Sequence, residues 1–224
     1  MTAELDGPRI AARSGTAKQL VVFIHGYGAD GNDLIELGRV WQPALPDAAF
    51  AAPDAPEPCA EAPIGRQWFG LTRRDPKERW SGVQRAAPVL DRFIDAELAR
   101  TGVAPSALAL VGFSQGTMMA LHVGLRRAVP PAAIVGYSGL LAAPNQTDVA
   151  AMAHEITSRP PVLLIHGDSD PLIPPQALPM SATALRALGL SVETHMSAGV
   201  GHGIGEDGLR LGVEFLLKAF APRA

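Results

Sequence analysis

The chain has 224 residues, 47% hydrophobic and 18% charged, a balance that suits one globular domain and excludes extended disorder. Its formal net charge of -3 leaves no electrostatic footprint for nucleic acid, and no run of Lys or Arg supports a membrane anchor. Cys59 is the single cysteine, which excludes an intrachain disulfide and fits a reducing, cytoplasmic setting. The first six residues lack a basic segment followed by an apolar stretch, so no signal peptide is expected. No apolar run approaches the roughly 20 residues that cross a bilayer, so stable membrane insertion is not expected.

Arg9 to Arg13 reads as a short edge strand. Gln19 to Ile24 is a continuous β-branched and apolar run, the mark of a strand covered on both faces. It gives way to the glycine-rich stretch from His25 to Asp33, and a helix capped by Asn32 or Asp33 runs on through Leu34, Ile35 and Leu37. Ala48 to Ala52 predicts a second core strand. From Pro53 to Thr72, a segment with Pro53, Pro56, Pro58 and Pro63, an irregular loop is expected. Within it, Trp68 and Phe69 either anchor the loop on the core or touch substrate.

Val83, Ala87, Leu90, Ile94 and Leu98 recur at helical spacing and stop near Gly102. Leu108 to Phe113 is then a strand, followed by a helix through Met119 and His122 to about Ala128. Ala132 to Tyr137 predicts another strand, Pro144 and Asn145 a loop, and Asp148 to Thr157 a weak helix. Val162 to His166 is again continuous and apolar. A helix follows from Pro175 to Gly189, a half-exposed strand from Leu190 to Met196, and a last helix carries Leu209, Val213, Leu216, Leu217 and Phe220 on one stripe. This alternation predicts one α/β domain, with a mostly parallel sheet covered on both faces.

The chemistry is expected beyond the carboxyl ends of the strands. Gly112-Phe113-Ser114-Gln115-Gly116 stands between a strand and a helix, the context in which a serine is pushed up on a strained turn. A Gly-x-Ser-x-Gly pattern alone is also a common accident in a chain with 23 glycines. What separates the two readings is the rest of the constellation. A serine hydroxyl needs a base, and the base an acid that holds its tautomer. Of the six histidines, His25 and His166 directly follow core strands and suit bonding to turn backbone. His122 and His154 lie on or near helices, and His195 lies within a strand. His202 alone occupies a glycine-flanked loop before the final helix. For the acid, Asp168 and Asp170 both remain open on spacing, with a lean toward Asp170, since either carboxylate suits a turn cap. The order serine, acid, histidine is that of an α/β-hydrolase. Two oxyanion donors are expected at the backbone amides of Gln115 and Tyr27.

With these residues assembled, the sequence resembles the serine carboxylesterase and acyl-protein thioesterase family of phospholipase/carboxylesterases. The matching pieces are Phe23 to Gly28, Gln67-Trp68-Phe69, Gly112 to Gly116, His166 to Pro174 and Gly201-His202, in the family's order across nearly the whole chain. The resemblance implies an α/β-hydrolase without a large cap domain, Asp170 as the acid, the amides of Tyr27 and Gln115 as the oxyanion hole, and often a homodimer. The His25 to Asp33 stretch looks more like the bacterial carboxylesterase branch than the enzymes acting on lipidated proteins. The expected activity is hydrolysis of short- to medium-chain acyl esters, small molecules, with no metal or organic cofactor. Trp68, Phe69, Leu71, Leu172 and Ile173 are candidates for the acyl wall, which must be largely apolar. Rival readings are a thioester or lysophospholipid hydrolase, an acyltransferase or perhydrolase using the same serine, and a non-catalytic ligand-binding protein on the same fold.

Overall fold

A computed structural model describes residues 4–73, 75–144 and 149–221. Among these, seven strands form one sheet: β1 (Arg9–Ile10), β2 (Gln19–Ile24), β3 (Ala48–Ala51), β6 (Leu108–Phe113), β7 (Ala133–Tyr137), β8 (Val162–Gly167) and β9 (Val192–Ser197). The spatial order is β1-β3-β2-β6-β7-β8-β9. Only the edge strand β1 runs antiparallel to its neighbour; every other pairing is parallel. Parallel neighbours require crossovers, and the helices that make them cover both faces.

Strand β2 shows why its apolar run is continuous. Leu20, Val22 and Ile24 face a core shared with α2 (Pro76–Thr101), α3 (Gln115–Gly124) and α4 (Ala177–Ala187). Val21 and Phe23 face the opposite core, closed by α1 (Gly31–Trp41) and α5 (Glu206–Phe220). With period two and burial on both sides, no position from Leu20 to Ile24 is left for a polar side chain.

The structure moves several boundaries. Helix α1 is capped by Asp30, two or three residues before the expected cap; its carboxylate accepts the amides of Asn32 and Asp33 at 2.8 and 3.3 Å. Helix α2 starts at Pro76 behind the cap Asp75 and continues through Pro88. Helix α3 ends at Gly124 rather than near Ala128, for a tertiary reason. The amides of Thr157 and Ser158 donate to the Leu125 carbonyl and Ser158 Oγ donates to the Gly124 carbonyl, so another segment takes up the terminal acceptors. The proline-rich segment is not wholly irregular, because β4 (Glu57–Pro58) pairs with β5 (Arg66–Gln67) in a small hairpin. Of the weak helix expected from Asp148, one turn of 3-10 helix stands at Ala150–Met152; Asn145 and Asp148 lie outside the described residues. No helix among the described residues is long and apolar enough to cross a membrane.

Candidate active site

Four loops meet at the carboxyl edge of the sheet, leaving β2, β6, β8 and β9. The loop after β6 is a single residue. Ser114 adopts φ 54° and ψ −114°, a left-handed backbone conformation unusual for a residue with a Cβ, and α3 begins at the next residue. The neighbouring glycines are required by contact. A Cβ on Gly116 would stand 1.7 Å from the Ile24 carbonyl oxygen, and one on Gly112 would stand 2.4 Å from the Gly116 carbonyl oxygen. The turn is tied to the sheet by the Ser114 amide, which donates to the Tyr137 carbonyl at 2.8 Å.

His202 reaches this hydroxyl from the loop after β9, with Nε2 3.0 Å from Ser114 Oγ. Its Nδ1 lies 2.8 Å from Asp170 Oδ2, on the loop after β8. The carboxylate is fully enclosed. Its Oδ1 accepts the amides of Leu172 and Ile173 at 2.8 and 3.0 Å, which fixes the plane of the group. Burial acts to raise the Asp170 pKa, but the Ile173 amide, the His202 imidazole and the Leu172 amide outweigh it and hold the group below the ordinary carboxylate value. An ionised Asp170 makes Nδ1 the protonated nitrogen of His202 and leaves Nε2 as acceptor toward Ser114.

Two further residues support this chain. His166 Nε2 sits 3.2 Å from Asp170 Oδ2 and 3.0 Å from the Ile173 carbonyl oxygen. Both are acceptors, so this nitrogen carries the proton and His166 adds a donor to the carboxylate. Ser138, the second non-glycine residue of positive φ at 44°, donates from Oγ to the Gly203 carbonyl at 2.8 Å and steadies the loop beside His202. His166 meets the turn backbone expected of it and the Asp170 carboxylate as well, whereas Ser138 is not among the residues the sequence singles out. The signal for Ser138 is weak, a serine-glycine pair after a core strand. Phe113 packs its ring against His202, with centroids 5.1 Å apart.

The other aspartate and histidines stand elsewhere. Asp168 is exposed and accepts the Ser169 hydroxyl and the Gly199 amide, both at 2.8 Å, so it ties two loops together. His25 is buried, its Nδ1 bonded to the Gly26 carbonyl and its Nε2 accepting the Ala55 amide. His122 is buried on α3 against the Trp80 ring, His195 pairs with Asp207 at 2.6 Å, and His154 is exposed.

Tyr27 lies in a turn where the Ala29 amide donates to the Gly26 carbonyl at 3.3 Å and Gly28 takes φ 81°. It lines the cavity that holds Ser114 and His202, about 180 Å³. Gln115 opens α3, so its amide has no acceptor within the helix. Leu71, Leu172 and Ile173 line the same cavity, joined by Met118 and Leu140, which the sequence did not single out.

Trp68 and Phe69 are a correction. Both are wholly buried and neither lines the cavity. The Trp68 indole N–H donates to the His25 carbonyl at 3.0 Å. The Trp68 amide donates to Gln115 Oε1 at 2.9 Å, and Gln115 Nε2 donates to the Phe69 carbonyl at 2.7 Å. They moor the end of the proline-rich loop to the Ser114 turn and do not form an acyl wall.

A serine of positive φ between strand and helix, on a mostly parallel sheet with no separate cap among the described residues, defines an α/β-hydrolase of the serine hydrolase class. The profile of the phospholipase/carboxylesterase family matches residues 5–219. The chain belongs to that family, and its chemistry is the hydrolysis of esters or thioesters. It is 27% identical over 201 residues to the esterase YpfH of Escherichia coli, covering 89% of this chain and 82% of that protein. To acyl-protein thioesterase 1 of Schizosaccharomyces pombe it is 30% identical over 179 residues, 78% of each chain. The crystal structure of esterase PE8 superimposes with a TM-score of 0.91 at 45% identity, covering 97% of this chain and all of that one.

Proposed function

We propose that the protein hydrolyses carboxylic esters of short- to medium-chain acids through an acyl intermediate on Ser114. The observation that carries this reading is the unbroken chain Ser114 Oγ, His202, Asp170, linked at 3.0 and 2.8 Å. In it, Ser114 Oγ bonds to the ester carbonyl carbon while His202 Nε2 takes the hydroxyl proton. Asp170 stabilises the imidazolium, and the amides of Tyr27 and Gln115 receive the oxyanion. The tetrahedral adduct collapses with loss of the alkoxide, which takes the proton from His202. Water then repeats the sequence on the acyl-serine, with His202 as base, and frees the carboxylic acid and Ser114.

Chain length is read from the cavity. At about 180 Å³ it lies below the ~300 Å³ at which sites for larger ligands begin, and Leu71, Leu172 and Ile173 offer it an apolar wall. The small volume directly beside Ser114 also supports a soluble small-molecule ester over a lipidated protein, and the lone thiol of Cys59 supports a cytoplasmic setting.

The test is a p-nitrophenyl ester series from acetate to palmitate, with matched thioesters and with alcohol and peroxide acceptors added in turn. The reading expects kcat/KM to peak between butyrate and octanoate, free acid as product, and slower thioester turnover. A peak at palmitate, or acyl transfer to the added acceptor in place of hydrolysis, contradicts it.

A further inference from the structure

His202 stands on the loop from Ala198 to Gly205, eight residues of which four are glycine. Glycine gives up more backbone freedom on ordering than any other residue, so an imidazole carried here is placed only as well as the loop is held. Along its length the holding comes from other segments. Asp168 Oδ1 accepts the Gly199 amide at 2.8 Å, the Ser169 amide donates to the Val200 carbonyl at 3.0 Å, and Ser138 Oγ donates to the Gly203 carbonyl at 2.8 Å. The two ends of the loop meet at one further group, the Asp207 carboxylate.

Asp207 lies half-buried in the first turn of α5. Its Oδ2 is 2.6 Å from His195 Nε2, and its Oδ1 accepts the Ser197 hydroxyl at 3.0 Å, so it reaches back to the end of β9. Oδ1 also accepts the Gly208 amide at 2.8 Å, which aims the carboxylate from its own helix. The loop closes onto the group directly: a Cβ on Gly205 would stand 2.7 Å from Asp207 Oδ1 and 2.9 Å from Val200 Cγ2. The His195 imidazole, opposed by burial and joined by the Ser197 hydroxyl and the Gly208 amide, holds the Asp207 carboxyl below the ordinary carboxylate value. Ser197 is buried, so this tie differs from an exposed ion pair: its hydroxyl is costly to leave unbonded.

We propose that Asp207 is a positioning residue for His202: by tying the end of β9 to the start of α5, it fixes where the imidazole stands between Ser114 and Asp170. The inference rests on the Ser114 mechanism above and adds to it a group that touches neither substrate nor the reacting atoms. A misplacement of about 1 Å at a reacting group costs on the order of 10²-fold in rate, which is the scale of effect open to such a tie.

Asp207→Asn separates a positioning role from a general one. Its Oδ1 still accepts from Ser197 and Gly208, and its NH₂ takes the place of Oδ2. A neutral His195 imidazole accepts from that NH₂, whereas a protonated one confronts it with a second donor. The other charged groups on the adjoining segments are Glu193 on the same face of β9, Asp168 after β8, and Glu206 and Arg210 on α5, with Arg210 bonded to Glu214 at 2.9 Å. The β8 residue paired with His195 is the apolar Ile165.

The experiment is steady-state hydrolysis of p-nitrophenyl butyrate at pH 8 and pH 5, the two sides of the imidazole range, with rates referred to the folded fraction by near-ultraviolet circular dichroism. Asp207→Ala is expected to lower kcat about tenfold or more at pH 8 with KM little changed. Asp207→Asn is expected to keep most of the native kcat at pH 8 and to fall toward the alanine variant, relative to native, at pH 5. In a His202→Ala background, Asp207→Ala is expected to leave the residual rate unchanged, because the effect passes through the imidazole. An unchanged kcat in Asp207→Ala, a change confined to KM, or the same loss in the His202→Ala background overturns the proposal. So does an Asp207→Asn to native ratio that is constant with pH, and this arm carries the test alone if Asp207→Ala does not fold. Native turnover in Ser114→Ala or His202→Ala fails the serine mechanism and the proposal with it; a failed Asp207 test with both of those variants inactive fails the proposal alone.

Discussion

Asp170 spends its two oxygens differently. Oδ1 is held by the amides of Leu172 and Ile173, and Oδ2 faces the His202 and His166 imidazoles. In Asp170→Asn, the amide oxygen suits one side and its NH₂ then confronts a donor on the other. Turned toward His202, that NH₂ forces the tautomer with the proton on Nε2, and the imidazole no longer accepts from Ser114. The expected loss is in kcat, on the order of 10³- to 10⁴-fold, with KM little changed; steady-state kinetics on one ester check it. A lowered native pKa also gives a direction with pH. The ionised Asp170 contributes stability that is complete above the unfolded carboxylate value of about 3.9 and is lost as pH falls through the lower native value. The carboxylate therefore stays charged throughout the neutral and mildly acidic range. Ser114→Ala removes the oxygen to which the proposed mechanism assigns the attack, and a loss of about 10⁴-fold or more in kcat is expected.

Helix α3 carries the Ser114 turn at one end and a buried, neutral imidazole in its body. Burial, with a smaller contribution from Arg126, pushes His122 down to about 3. Its native pKa lies below its unfolded value near 6.5, so the unfolded state binds the proton first as pH falls. The stability tied to a neutral His122 is complete above pH ~6.5 and is lost progressively down to about 3, at roughly 1.4 kcal/mol per pH unit at most. Urea unfolding at several pH values is expected to show a shallower acid-side slope for His122→Gln than for the native chain. An equal slope would contradict the assignment. At the helix start, Gln115→Ala keeps the backbone amide but strips the partners of the Trp68 amide and the Phe69 carbonyl. Two buried polar groups left unpaired predict a loss of about 2–4 kcal/mol in unfolding free energy. The elements themselves were legible where local chemistry decides. The doubly buried strands are continuous apolar runs, and the Ser114 turn announces itself by two glycines that contact allows no larger residue to replace. The end of α3 was not legible, because its last acceptors are taken by Thr157 and Ser158, more than thirty residues away in the chain.

For the whole molecule, chain order did much of the work in reading the site. Serine, acid and histidine fall on the loops leaving β6, β8 and β9, and a parallel sheet delivers those ends to one edge. The cavity walls were harder to read, because they combine distant segments: Met118 on α3, Arg79 on α2 and Leu140 in the loop after β7 carry no shared pattern. Trp68 and Phe69 illustrate the ambiguity of large aromatic residues in a loop. The same side chains suit a ligand wall or a buried mooring, and only the position of Gln115, forty-seven residues from Trp68, separates the two. The homodimer implied by the family resemblance predicts a light-scattering mass of twice the 23.4 kDa chain, and a mass of one chain would contradict it. The account as a whole turns on one oxygen. Incubation with a fluorophosphonate, followed by peptide mass mapping, is expected to place a single adduct on the peptide containing Ser114 and none in Ser114→Ala. An adduct on another residue, or labelling that persists in Ser114→Ala, would contradict the account.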